Sequence, residues 1–226
     1  MIPRIGVDLE PGVYVSRAVP ELDLLDIAYG AAHGGAHVIL VPISAFVASA
    51  ADTPDRFDRP GLPLFAVKTE VGDLDRVVGL GAAPDRIIVV GERNRLVADP
   101  SAAAQQARQA AASDQEVGVL VEAEAAPLKE LSRAHVQWAY FSTEPAALAS
   151  GIEAAQTEVL RLSSAALAAH RLGLRVALLG PTGRQLPSAL ARIEHVEEIY
   201  PAPDLWGLAL RLGWEGALSE YQRLMR

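Results

Sequence analysis

The chain has 226 residues, 50% of them hydrophobic and 21% charged, with a net charge of −8 and no cysteine. That balance is ordinary for a soluble globular protein, and the missing thiols exclude disulfides, thiolate metal sites and cysteine nucleophiles. The acidic charge carries no basic stripe, and neither a signal-peptide pattern nor an apolar run of about 20 residues is present. The expectation is therefore a cytoplasmic protein with neither nucleic acid nor membrane as partner.

Along the chain, short β-branched runs alternate with helical patterns. A strand over 5–9 (IGVDL) precedes a helix over 22–34. Strand 37–42 (HVILVP) leads into the irregular segment 45–60, which has room for a short helix at most. Strand 64–68 and helix 71–81 follow, then strand 86–91, helix 101–113, strand 117–123 and helix 126–134. Strand 138–143 is followed by the longest helix, 153–173, then by strand 175–180, helix 186–193, strand 197–202 and helix 205–226. Most strands are continuous apolar runs, as expected when both faces are covered.

Eight strands interleaved with helices predict an α/β fold, a single parallel eight-stranded (β/α)8 barrel spanning residues 1–226. A doubly wound open sheet is the alternative, because alternation does not reveal closure. The long helix between strands six and seven contains the small-residue stretch LSSAALAAH. It is suited to close packing, on the barrel or across a subunit interface.

In such barrels chemistry gathers at the C-terminal ends of the strands. The residues there are Asp8 and Glu10, Pro42 and Ser44, Lys68, Glu92 and Arg93, Glu122 and Glu124, Ser142, Thr143 and Glu144, the Gly180–Arg184 loop, and Asp204. The carboxylates Asp8, Glu10, Glu122 and Glu124 read first as solvated loop charges or helix caps. They read second as an acid–base pair or a set of oxygen ligands for magnesium. Lys68, one of only two lysines, reads as the cation of a salt bridge with Glu70 or Glu92, or as a Schiff-base amine if desolvation lowers its pKa. No histidine ends a strand.

The stretch VALLGPTGR (176–184) is a strand running into a glycine-bearing turn, with a hydroxyl in Thr182 and a cation in Arg184. Barrels often hold phosphate between the loops after strands seven and eight. Here the second loop is PAPD, with two prolines that lack N–H groups and an acid, Asp204, that repels phosphate. Only half of a cradle is present.

The succession IGVDLEPGVYVSR, AYGAAHGGAHVILVP, LPLFAVKTE, RIIVVGERNR, AAHRLGLRVALLG and WGLALRLGWEGALSEYQRLMR resembles the pyridoxine 5′-phosphate synthase family, the vitamin B6 barrel enzymes, from Ile5 to the C-terminus. The resemblance implies a barrel that joins 1-deoxyxylulose 5-phosphate to aminoacetone phosphate, and family members form large oligomers. It also locates losses. The family's histidine after strand two falls on Pro42, its glutamate on strand three near Phe65, and its histidine after strand seven on Gly180. Its glutamate on strand six falls on Tyr140, with the next threonine retained as Thr143. Its acidic and histidine pair after strand one falls near Asp8, Glu10 and Pro11, its Gly-His phosphate contact on Ala202 and Pro203, and its arginines after strand two on Ser44 and Ala45.

Positioned acids and bases each contribute about 10²–10⁴-fold, so the family condensation is not expected here. The chain is read as a diverged relative that binds or acts on another small molecule, phosphorylated compounds among the candidates. The alternatives are an assembly or regulatory relative and, last, a working synthase. Any activity would be that of a related transferase or lyase. Candidate catalytic residues are Glu10, Lys68 and Glu122. Candidate ligand contacts are Asp8, Glu92, Arg93, Thr143, Gly180, Thr182, Gly183 and Arg184. No cofactor or metal is assigned, and a homo-oligomer is expected from the resemblance.

Overall fold

Mostly apolar runs of five to seven residues are too short for buried helices but long enough to cross a sheet. All eight do so. The computed structural model describes residues 2–19, 21–46, 63–78, 80 and 84–226. Its strands are β1 (Arg4–Asp8), β2 (Val38–Pro42), β3 (Leu64–Glu70), β4 (Arg86–Val90), β5 (Glu116–Leu120), β6 (Trp138–Ser142), β7 (Arg175–Leu179) and β8 (Val196–Tyr200). Each pairs in parallel with the next, and β8 returns to β1 through Arg4↔Glu198 and Ile5↔Ile199. The sheet is closed, and the open doubly wound alternative is excluded.

Around the sheet lie α1 (Glu10–Ala18), α2 (Leu24–His33), α3 (Leu74–Val78), α4 (Pro100–Ala110) and α5 (Ala125–Arg133). They are followed by α6 (Glu144–Ala147), α7 (Ile152–Arg171), α8 (Pro187–Ala191) and α9 (Asp204–Leu224). The starts of α2 and α4 are set by aspartates: Asp23 accepts from the Leu25 N–H and Asp99 from the Ala102 N–H. Gly173, with φ 77°, lies just past the end of α7 in a conformation that side chains disfavour.

Several details differ from the sequence expectations. Residues 10–18 and 144–147, to which no element was assigned, form α1 and α6. The helix expected over 71–81 starts as a 3-10 turn, Val71–Asp73, before α3. In α9 the helix is interrupted at Gly213 (φ 69°, ψ 171°), where the backbone leaves the helical region. Of the irregular segment 45–60, residues 47–60 lie outside the described residues.

Side chains alternate across each strand. One set, including Ile39, Val41, Phe65, Val67, Ile87, Val89, Val117 and Val119, packs against the helices. The other, including Val38, Leu40, Ala66, Ile88, Leu120, Tyr140 and Tyr200, fills the barrel. Two interior rings need strand glycines. A Cβ on Gly6 would overlap the Tyr200 ring, and one on Gly118 the Tyr140 ring.

The N-terminal end of the barrel is closed by charge instead of hydrocarbon. Arg86, fully buried, donates to Glu198 (2.7 Å), to the Tyr140 hydroxyl (2.9 Å) and to Glu116 (2.9 Å). Glu198, also fully buried, accepts from Arg4 and from the Tyr200 hydroxyl. The Trp138 indole lies between the Arg86 and Arg175 guanidiniums, 3.8 and 4.0 Å from its ring centroid. The network is a satisfied structural floor: every buried side-chain polar atom among the described residues has a partner.

Candidate active site

At the opposite end, the last interior position of β1 is Asp8, and Lys68 occupies an interior position of β3, in register with Pro42 and Ile88. Glu10 starts α1, which folds in over the mouth. The turn is fixed because Asp8 Oδ1 accepts the Glu10 N–H at 3.0 Å. The second Asp8 oxygen and Glu10 Oε2 both receive Lys68 Nζ, each at 2.5 Å. Lys68 and Asp8 are 4% and 5% exposed, whereas Glu10 is 27% exposed and faces the opening.

The loop after β4 completes the cup. Arg93 and Asn94 both adopt left-handed backbone, with φ 57° and 60°. Glu70 accepts the Arg93 N–H at 2.8 Å, and the Asn94 side-chain amide donates to both Glu10 oxygens at 2.8 and 2.9 Å. Below, the Trp206 indole N–H donates to the Asp8 carbonyl at 2.7 Å, tying α9 to β1.

Burial pulls the Lys68 ammonium toward a lower pKa, but the Asp8 and Glu10 carboxylates outweigh it and hold it above its ordinary value. The carboxylates thus favour the protonated cation, and the lowered pKa on which the Schiff-base reading depended is not found. Its salt-bridge partners are Asp8 and Glu10, not Glu70 or Glu92. The cup opens to a cavity of about 450 Å³ whose wall includes Tyr14, Arg93, Ser142, Glu144, Pro181 and Pro203.

Of the candidate catalytic and ligand-contact residues, Asp8, Glu10, Lys68, Arg93 and Gly180 line this cavity, together with Ser142, Glu144 and Pro181 from the strand-end positions. The remaining candidates do not. Glu122 points to Arg161 of α7 at 3.4 Å. Glu92 and Arg184 are exposed and stand outside the wall. Thr143 is fully buried, with its N–H and its hydroxyl both directed at the Leu179 carbonyl. Thr182 and Gly183 turn their N–H groups to Asp204. Among the described residues no group of three His, Asp or Glu side chains is placed to hold a metal ion. No helix among them is long and apolar enough to cross a membrane.

Asn94 and Tyr14 escaped the sequence reading. Asn94 had one available signal, since asparagine tolerates left-handed backbone better than most residues. Tyr14 had the proline and acid that open α1, Glu10–Pro11, which mark a helix start.

The fold and its mouth define the class of molecule, a (β/α)8 barrel. No family model and no curated protein matches the chain. Solved structures do. KGPDC from Streptococcus mutans superposes with TM-score 0.64 at 10% identity, over 100% of this chain and 98% of that one. Orotidine 5′-phosphate decarboxylase from Pyrococcus horikoshii OT3 gives 0.64 at 12% identity, covering 98% and 99%. A mutant tryptophan synthase α-subunit from Pyrococcus furiosus gives 0.57 at 14% identity, covering 100% and 98%. None of the three is a pyridoxine 5′-phosphate synthase. At these identities the likeness is one of fold alone.

Proposed function

We propose that this barrel is a diverged relative of the pyridoxine 5′-phosphate synthases that has lost their condensation and binds a different small molecule at its mouth. The observation that carries the reading is the ion triad Lys68–Asp8–Glu10, buried on one side and open to a cavity on the other. Such a triad is a poor device for stability, since well-packed apolar residues usually serve as well or better. Buried, charge-perturbed groups in a cleft are instead a mark of functional sites. In this reading Lys68 is the acid or the fixed positive charge, offered to negative charge that develops on the ligand. Asp8 and Glu10 hold it protonated, and Asn94 fixes Glu10.

A thermal-shift screen tests this, using sugar phosphates, amino ketones and B6 vitamers beside their unphosphorylated counterparts. A ligand is expected to raise the melting temperature of the native protein and to lose that effect in Lys68→Met. Ligand effects that are the same in both proteins would remove the mouth from consideration.

A second reading, self-association, is supported by one surface. Leu148, Ile152 and Leu160 are 68–73% exposed, and Leu167 is 40% exposed. Ile152, Leu160 and Leu167 fall on one side of α7. Sedimentation of the native protein against Leu160→Glu separates an oligomer held by this face from a monomer.

A further inference from the structure

The turn after β7 has the geometry of an anion nest, in which successive backbone N–H groups converge on one point. Gly183 at φ 56° brings its own N–H and that of Thr182 to the same side. The point on which they converge is occupied by the protein itself. Asp204 Oδ2 accepts the Thr182 N–H at 2.6 Å and the Gly183 N–H at 3.1 Å, with the Thr182 hydroxyl 3.3 Å away. That hydroxyl is held in turn by the buried Tyr221 of α9, which donates to it at 3.0 Å. The remaining groups of the two loops are no freer. The Gly180 and Ala202 N–H groups both go to the Tyr200 carbonyl, and Pro181 and Pro203 have none to give.

We infer that Asp204 is a specificity-determining residue: one residue behind the cavity wall formed by Pro181 and Pro203, its carboxylate fills the place a ligand's phosphate would take and restricts the mouth to molecules without one. Two physical effects act together. The carboxylate satisfies the donors a phosphate needs, and its charge repels a second anion at the same place. The inference rests on the reading of the mouth as a ligand site, and it narrows the ligand class to compounds whose anchoring groups are not phosphate.

The test is a titration of the isotopically labelled native protein with inorganic phosphate, read at the Thr182 and Gly183 amide resonances, beside the same titration of Asp204→Ala. The native amides are expected not to move in a saturable way. The variant amides are expected to saturate with phosphate affinity at least about tenfold higher, the equivalent of one charge-assisted hydrogen bond. Asp204→Ser is the second variant, because serine keeps a polar, uncharged side chain at the first position of α9 if alanine compromises folding. Saturable binding at these amides in the native protein overturns the inference, as does a folded variant whose amides ignore phosphate. Failure of the ligand-site reading would appear elsewhere, as absence of any Lys68-dependent ligand effect.

Discussion

Lys68 decides how the mouth behaves, and its surroundings make two measurable statements. Replacing it with methionine leaves Asp8 as an uncompensated buried charge, at an expected cost of about 3–5 kcal/mol in unfolding free energy. Adding Asp8→Asn to that variant should recover part of the loss, which denaturant titrations of the single and double variants would resolve. The pH dependence follows from the raised pKa. The unfolded lysine titrates near about 10.4. The stabilisation it contributes is fully present below that value and is lost as pH rises through the higher folded one. The stability gap between native protein and Lys68→Met should therefore close at alkaline pH, and a gap that widens there would refute the assignment. At this scale the sequence was half informative. Lys68, Asp8 and Glu10 were legible because they end strands or follow them directly. Glu122 and Arg184 have the same positional credentials, yet their side chains leave the mouth. Loop direction, which decides the difference, depends on backbone angles set by long-range packing, which the residues at the strand ends do not reveal by themselves.

At the scale of elements, the strands were legible to within a residue or two at most ends because burial on both faces leaves little but apolar side chains. The helix α1 was not, since Gly12 lies inside it. That glycine has a packing reason: a Cβ there would come 2.8 Å from the Trp206 ring. The interior glycines act in the same way within the sheet, where Gly118 makes room for Tyr140. Gly118→Ala should cost about 1–3 kcal/mol by overpacking, detected as a lowered denaturation midpoint with unchanged slope. The charged floor predicts the acid behaviour of the strands that carry it. Burial works to raise the Glu116 carboxyl, but the Trp138 and Arg86 hydrogen bonds and the guanidinium charges prevail and lower it. Its contribution is present above the ordinary carboxylate range and is lost as pH falls through the depressed folded value. Glu116→Gln should flatten that part of the acid-unfolding profile, and an unchanged profile would reject the linkage.

For the whole molecule, closure of the sheet determines which side chains can meet. Asp8, on the first strand, reaches Lys68, on the third, because both face one interior, and the β8–β1 pairing places the Asp204 loop beside the same mouth. Under the proposed reading, the same geometry makes the loss of pyridoxine 5′-phosphate synthase chemistry hard to reverse. Pro42 faces the mouth with no proton to transfer, Phe65 packs outward against the helices, and Tyr140 is committed to the Arg86 network. Gly180 has φ 128°, and a Cβ there would meet the Thr143 hydroxyl at 2.9 Å, so a histidine would be strained from its first carbon. Well-expressed protein is thus expected not to rescue a strain that requires pyridoxine, and Gly180→His is expected to lose stability without gaining rescue. Growth restored by the native chain would show that the condensation proceeds through other groups, with Lys68 and Glu10 the first to examine. Growth restored by Gly180→His alone would show that the remaining family positions had kept their function under different residues.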